Sequence, residues 1–485
     1  MSSLDQLSQM VKNHLGVHSS HKWIIGESQV SGRGLIAAED ISPGEVLFID
    51  HPLIYGPRSG VDLPRGCTVC CKLDSDMFFK CSRCALLLCS EECQSTCIHN
   101  DDCNIISRWE NKIPMEEVDD TIMSRALTVI RALLLKEDRF RFMASLCGHE
   151  DPKHGFEVKH LKEYFNIPDH EEKIMLLASY VIDTNAFQVA STYGKKEMDT
   201  KGLFPVSALL NSTCVPNIRY NFNSEREMIV KATKPIPTGT EIFTCYTGIF
   251  WGTPARQVYL RKTKHFLCRC DRCADPTERG TMLAALKCFA TYCPGSLLPL
   301  EPLIPTSPWR CLECGMRVPS KNIFAVQNAL GSMLASLNFK DVDDLENFLL
   351  NRIKKFIPKT NQIVIDLQCR LIYGIHDIRH PDLSESRLSL KENLCRGILR
   401  IVAALGLGDA HQRGLLLYHL HATLAERARR SPDLYEELKS EIESTIEQAY
   451  KILQDDISAP ADLELRRQYL GPDSNKPPEE RFFFI

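Results

Sequence analysis

Nine of the chain's 21 cysteines fall between Cys67 and Cys103, and seven more crowd between Cys268 and Cys314. Cysteines that merely fill hydrophobic cores would scatter. Two-residue spacers suit a tetrahedral thiolate site, because a short turn brings both sulfurs to one metal. The first stretch reads Cys67-x2-Cys70, Cys81-x2-Cys84, Cys89-x3-Cys93 and His99-x3-Cys103. So short a segment has little core of its own, and bound metal would supply its folding free energy. The competing interpretation is a set of buried free cysteines. Cys71 and Cys97 are left over, and Cys71 competes with Cys70 as a ligand.

The rest of the composition sets wide bounds. At 485 residues the chain exceeds one ordinary core, and typical domain sizes give roughly three domains. With 44% apolar and 25% charged residues it is a globular chain. A net charge of -4 gives no global basic field for nucleic acid. The segment 67–103 offers chiefly Lys72, Lys80 and Arg83, so nucleic acid is not expected as the main partner. The opening MSSLDQLSQMVKNHLGV has no apolar core of a secretory signal, and no run nears the roughly 20 apolar residues of a membrane span. Cytoplasm and/or nucleus is therefore the expected compartment, with thiols reduced and no membrane partner.

Strand-like sequence occurs twice. Trp23–Ile25, Gly34–Ala37 and Val46–Pro52 are β-type, with turn signals at 31–34 and 42–44. LFPVSALL, NIRYNF, MIVKAT and EIFTCY between 203 and 246 are β-type again. Between them, ISRWENKIP and MSRALTVIRALLLKEDRFRFMASL carry helical periodicity, and residues 171–187 start helical and break near Asp183–Asn185. One domain interrupted by insertions explains this order better than independent domains. After Pro319 the apolar repeats predict paired helices to about residue 458. The Pro- and Glu-rich end, Gly471–Ile485, is expected to be a loose tail unless its aromatics dock on the body.

The eight-ligand pattern at 67–103 resembles a MYND zinc finger. That resemblance, not the spacing, assigns Cys67, Cys70, Cys89 and Cys93 to one ion and Cys81, Cys84, His99 and Cys103 to a second. GRGLIAAEDISPGEVLF before the finger, and NAF (185–187), GLFPVSALLNSTCVPN (202–217), GTEIFTCYTG (239–248) and CRCDRC (268–273) after it, resemble a SET domain. Together, over about residues 18–460, they are similar to the SET-and-MYND (SMYD) protein-lysine methyltransferase family, nearest its arthropod SmydA-like branch. The fold implied is mixed α+β: a SET-type β fold split by a MYND finger and a helical insertion, with a zinc-binding post-SET segment and an α-helical, TPR-like C-terminal domain. The expected division is an N-terminal segment (1–17), first SET part (18–66), finger (67–103), helical insertion (104–170), SET core (171–250), post-SET region (251–318), helical-hairpin domain (319–460) and tail (461–485).

The family transfers a methyl group from S-adenosyl-L-methionine to a protein lysine, and a histone lysine is one candidate this resemblance leaves open. A neutral amine must meet the methyl in line, in a narrow channel with water excluded. By resemblance Tyr246 is the active-site tyrosine; a core strand tyrosine is the plainer alternative. Gly32, Arg33 and Gly34 match the cofactor-side turn, where glycine lets backbone approach a ligand closely. Arg33 also suits a solvated surface. Asn185 and Asn211 match positions that hold the cofactor's amino-acid end, though turn-capping would also explain them. Phe266 matches an aromatic on adenine, or local core.

Two positions depart from the family pattern. Ser212 replaces a histidine that frames the cofactor pocket, so backbone contacts survive and ring contacts do not. Lys264 replaces a tyrosine lining the lysine channel, and adds positive charge there unless it points outward. A weakly active or inactive fold, serving as a MYND and helical-repeat scaffold in transcriptional regulation, thus stays beside the enzyme. The resemblance also implies a third zinc on Cys214, Cys268, Cys270 and Cys273, and a proline-rich peptide partner for the finger. Cys288, Cys293, Cys311 and Cys314 are either a fourth site, resembling a small zinc ribbon, or four partly buried thiols.

Overall fold

The computed structural model describes the chain apart from residues 1–2, 17–20, 29–31, 59–63, 75–76, 151–154, 379–381, 477–480 and 483–485. Ser31, and the last three residues of the tail, thus lie outside the described residues. The strands flanking the cysteine-rich insertion form three small sheets rather than one. Trp23–Ser28 and Gly32–Ala37 form an antiparallel pair, and Glu241–Thr244 joins the far side of the second strand, pairing Ile242 with Leu35. Asn211–Ser212 then runs parallel to Glu241–Thr244. Ile218–Phe222, Met228–Ala232 and Val46–Asp50 make a second sheet, and Ile54–Pro57, Thr200–Leu203 and Phe187–Val189 a third. Each sheet joins strands from both sides of the cysteine-rich insertion. This mixed α+β, SET-like arrangement continues into a helical C-terminal region.

Three stretches differ from their periodicity. ISRWENKIP is not a helix: the helix Cys97–Ile106 ends there, and Glu110–Asn111 pairs with Phe165–Asn166. Pro114 disfavours helical backbone at Ile113 before it. The long run after it is three pieces, Asp120–Ile130, a 3-10 turn Arg131–Leu134 and Glu137–Ser145. Asp119 starts the first of these by accepting from Thr121 N and Ile122 N. LFPVSALL is a strand only to Leu203, because Pro205 has no N–H to donate. A 3-10 turn follows at Ser207–Leu209, held by buried Asp50, which accepts from Ser207 N at 2.7 Å and its Oγ at 2.9 Å.

The C-terminal helices Gln362–Asp377, Glu385–Leu405, His411–Arg430 and Pro432–Leu453 stack in chain order around a leucine-rich core. Ser384 caps the second, and Gly406, left-handed at φ 69, ends it. The region docks on the second sheet through polar backbone contacts: Arg219 reaches Asp409 O and Lys451 O, and Asn221 reaches Asp455 O. The stretch expected as a tail, 461–485, carries structure among its described residues. Leu463–Leu470 is helical, Leu463 is buried beside Ile446, and the Phe482 ring meets Tyr435 edge-on at 5.6 Å.

Candidate functional site

The chain turns three of its Cys-x2-Cys pairs in the same way. Cys71, Ala85 and Gly315, each directly after the second cysteine, sit at φ 61, 56 and 72. Each donates its backbone N–H to the carbonyl of the first cysteine. This corner points both sulfurs of a pair to one side. Cys71 is spent on the corner itself and belongs to no cluster.

Cys67, Cys70, Cys89 and Cys93 bring their sulfurs within 4.8 Å of one another, as do the ligand atoms of Cys81, Cys84, His99 and Cys103. Neighbouring sulfurs stand 3.5 Å apart for Cys70–Cys89, 3.6 Å for Cys89–Cys93 and 3.9 Å for Cys81–Cys103. A disulfide would hold them at about 2.05 Å. Four thiolates on zinc, with bonds near 2.3 Å, stand about 3.8 Å apart. The donor set and spacing therefore fit tetrahedral zinc. His99 Nε2 lies 3.5 Å from Cys84 Sγ, while its Nδ1 donates to Gln94 O at 2.7 Å. That bond leaves the Nε2 lone pair free for a metal.

Cys214 joins Cys268, Cys270 and Cys273 in a third cluster, 3.5 Å from Cys273 and 3.9 Å from Cys268. It stands against two buried cations. Arg256 Nη2 donates to Cys273 Sγ at 3.3 Å and its Nη1 to Glu278 at 2.7 Å. Arg272 reaches the same carboxylate at 3.2 Å and Cys214 O at 3.0 Å. Cys288, Cys293, Cys311 and Cys314 form the fourth cluster on the four-stranded sheet from Leu286 to Val318, with sulfur pairs at 3.6 and 3.7 Å.

A cleft of about 1430 Å³ opens between the first sheet, the helical insertion and the third cluster. Arg33, Asn185, Asn211, Ser212, Tyr246 and Phe266 all line it. The Tyr246 hydroxyl donates to Leu210 O at 2.6 Å, and its backbone N–H donates to Ser212 Oγ at 3.1 Å. Burial pushes its phenol up to about 12, so it stays an O–H donor at neutral pH. Asn211 Nδ2 donates to Arg33 O at 3.0 Å and Glu241 Oε1 at 2.7 Å. Asn185 Nδ2 donates to Cys147 O and Val181 O, so the carbonyl oxygens of both amides remain for a ligand. Arg33 Nη2 is held by Ser145 O at 3.0 Å. Gly32 and Gly34 do not line the cleft. Gly32 takes a left-handed φ of 75, and a Cβ on Gly34 would stand 2.6 Å from Glu241 Oε1 and 2.8 Å from Asn211 Nδ2.

Lys264 points inward. Its Nζ lies 5.3 Å from the Tyr246 ring centre and donates to Thr184 O. Burial lowers the pKa of its ammonium, with Asp183 pulling the other way. Ser212, by contrast, uses its hydroxyl to anchor the Tyr246 backbone. Sequence reasoning passed over Glu241, which ties Asn211 and Ser28 together, and the carbonyls of Ser145 and Cys147 from the insertion. Glu241 had one signal: an acid directly before the apolar pair Ile242 and Phe243, on a strand opposite a glycine turn. The carbonyls had none.

Residues 32–247 match the SET domain family model. The chain is 30% identical over 422 residues to the Drosophila melanogaster SET domain-containing protein SmydA-8, isoform A, covering 85% of this chain and 91% of that one. Isoform B is 29% identical over 425 residues, with 85% and 94% covered. A mouse (Mus musculus) histone-lysine N-methyltransferase, SMYD3, is 26% identical over 273 residues, 52% of this chain and 61% of that one. The chain belongs to the SET-domain family and is related to its SMYD-type proteins.

Proposed function

We propose that the chain is an S-adenosylmethionine-dependent methyltransferase acting on protein lysine side chains, with histone lysines among the candidates. The observation that carries this reading is the convergence of Asn185, Asn211 and Tyr246 on one cleft. Relatives named as histone-lysine and N-lysine methyltransferases support it. The cofactor supplies an electrophilic methyl group. The two asparagines present carbonyl oxygens to its amino-acid end, Phe266 offers a ring face to its base, and Arg33 borders it. Tyr246 and the Leu210 carbonyl orient the incoming amine and stabilise positive charge on it. Burial of the tyrosine keeps water from competing.

On this reading the first two clusters are a MYND finger, the third a post-SET zinc site that orders one cleft wall, and the fourth a zinc ribbon. The stacked hairpins form a TPR-like domain. A proline-rich peptide for the finger, residence in cytoplasm or nucleus, and the SmydA-like branch are part of the same proposal. The scaffold alternative is favoured by one observation, the inward Lys264. The test is calorimetric binding of S-adenosylhomocysteine to zinc-replete protein, followed by methyl transfer to proteins of a cell extract. Tyr246→Phe is expected to keep binding and lose transfer on the order of 10²-fold. Absence of stoichiometric binding in the intact chain rejects the enzyme. A pull-down lost in Cys81→Ala but intact in Tyr246→Phe supports the scaffold.

A further inference from the structure

We infer that Lys264 is itself a methyl acceptor, and that the chain methylates this side chain at Nζ. The inference rests on the methyltransferase reading. Lys264 ends the helix Thr253–Thr263 and turns its side chain into the same cleft as Asn185 and Asn211. Its Nζ is held by the Thr184 carbonyl, one residue before Asn185, with the Tyr246 ring centre 5.3 Å away. The Phe266 ring stands edge-on to Tyr246 at 6.5 Å. An oriented amine, an adjacent tyrosine and a second aromatic are the features an entering substrate lysine needs, and here the chain fills them itself.

Burial disfavours the ammonium, which is the direction an attacking amine requires. The step balances simply. The ammonium proton leaves to water. The Nζ lone pair then forms a bond to the sulfonium methyl carbon as the S–C bond breaks, and the electron pair returns to sulfur as S-adenosylhomocysteine. The product is a cationic methylammonium. It retains N–H groups for Thr184 O, and its charge remains over an aromatic face. Lys234 also borders the cleft but is directed to Gly406 O, so it serves as the internal control.

The experiment incubates the full, zinc-replete chain with methyl-labelled S-adenosylmethionine and cell extract, then maps label by peptide mass spectrometry. Label on Lys264 and not on Lys234, at a rate per chain independent of chain concentration, is the expected result. A tagged Tyr246→Phe chain mixed with intact chain should remain unlabelled, since its own cleft is impaired. In cofactor-free protein, acetic anhydride should modify Lys264 with a pH midpoint below the ordinary lysine value. Label on extract proteins with none on Lys264 overturns the inference and leaves the methyltransferase reading standing. Label on Lys264 alone supports the inference and removes the external substrate. No binding of S-adenosylhomocysteine defeats both.

Discussion

Arg256 Nη2 donates to Cys273 Sγ at 3.3 Å while the same guanidinium pairs with Glu278, and neither side chain of that ion pair reaches solvent. Removing Arg256 would leave the buried Glu278 carboxylate with Arg272 alone, at 3.2 Å, and breaking a buried charge pair from one side costs more than the pair contributed. Arg256→Met should therefore destabilise the chain by about 3–5 kcal/mol, read from urea unfolding. Zinc should also be lost faster to a chelator, because the thiolate loses a donor that offsets its charge. An unchanged chelation rate would separate the ion pair from the metal site.

Gly34→Ala puts a methyl group where Glu241 and Asn211 meet. Relief of that contact must move the asparagine, at a cost of about 1–3 kcal/mol. S-adenosylhomocysteine should bind roughly 10-fold weaker or worse by calorimetry, with the unfolding midpoint lowered less than in Arg256→Met. Equal affinity would remove Asn211 from the cofactor site.

Metal analysis of the intact chain should find four zinc ions, one for each cluster. Cys314→Ser should lower the count by one and leave S-adenosylhomocysteine binding intact, because none of its cluster lines the cleft. Cys273→Ser should lower both, because Cys268 and Cys270 of its cluster do line it. Native mass spectrometry reads the two outcomes on the same sample.

His421 is fully enclosed, its Nδ1 donating to Ile442 O, and burial pulls its imidazole down to about 3 from 6.5. Between those values the unfolded chain binds a proton that the folded chain refuses. Stability from this group is thus complete above 6.5 and declines as pH falls towards 3, at roughly 1.4 kcal/mol per unit. Urea melts of His421→Leu between these limits should show a shallower pH slope by about one proton.

The metal clusters were legible in sequence because their chemistry is local: a two-residue spacer and a left-handed corner bring two sulfurs together. Even the distant Cys214 was reachable through a family pattern, though not through spacing. The helix Gln362–Asp377 was legible too, with Val364, Leu367, Leu371 and Ile375 recurring on its buried face. The direction of Lys264 was not legible. It depends on an acceptor, Thr184 O, that lies 80 positions away on another helix's end. Arg33 likewise finds Ser145 O across 112 positions, and nothing in either residue type announces the meeting.

The first sheet is completed only when Glu241 meets the strand beside Ser28, 213 positions earlier. At a synthesis rate of about 5–20 residues per second, the early strands wait roughly 10–40 s for their partner. Leu35, fully covered in the finished fold, spends that interval without its cover, beside an open strand edge. Every ligand atom of the first two clusters comes from within Cys67–Cys103. Zinc bound there during translation would tie Cys67 to Cys103 and shorten the loop that the two unfinished halves must search. Zinc supply at the ribosome would then govern the yield of folded chain, well before any cofactor is encountered.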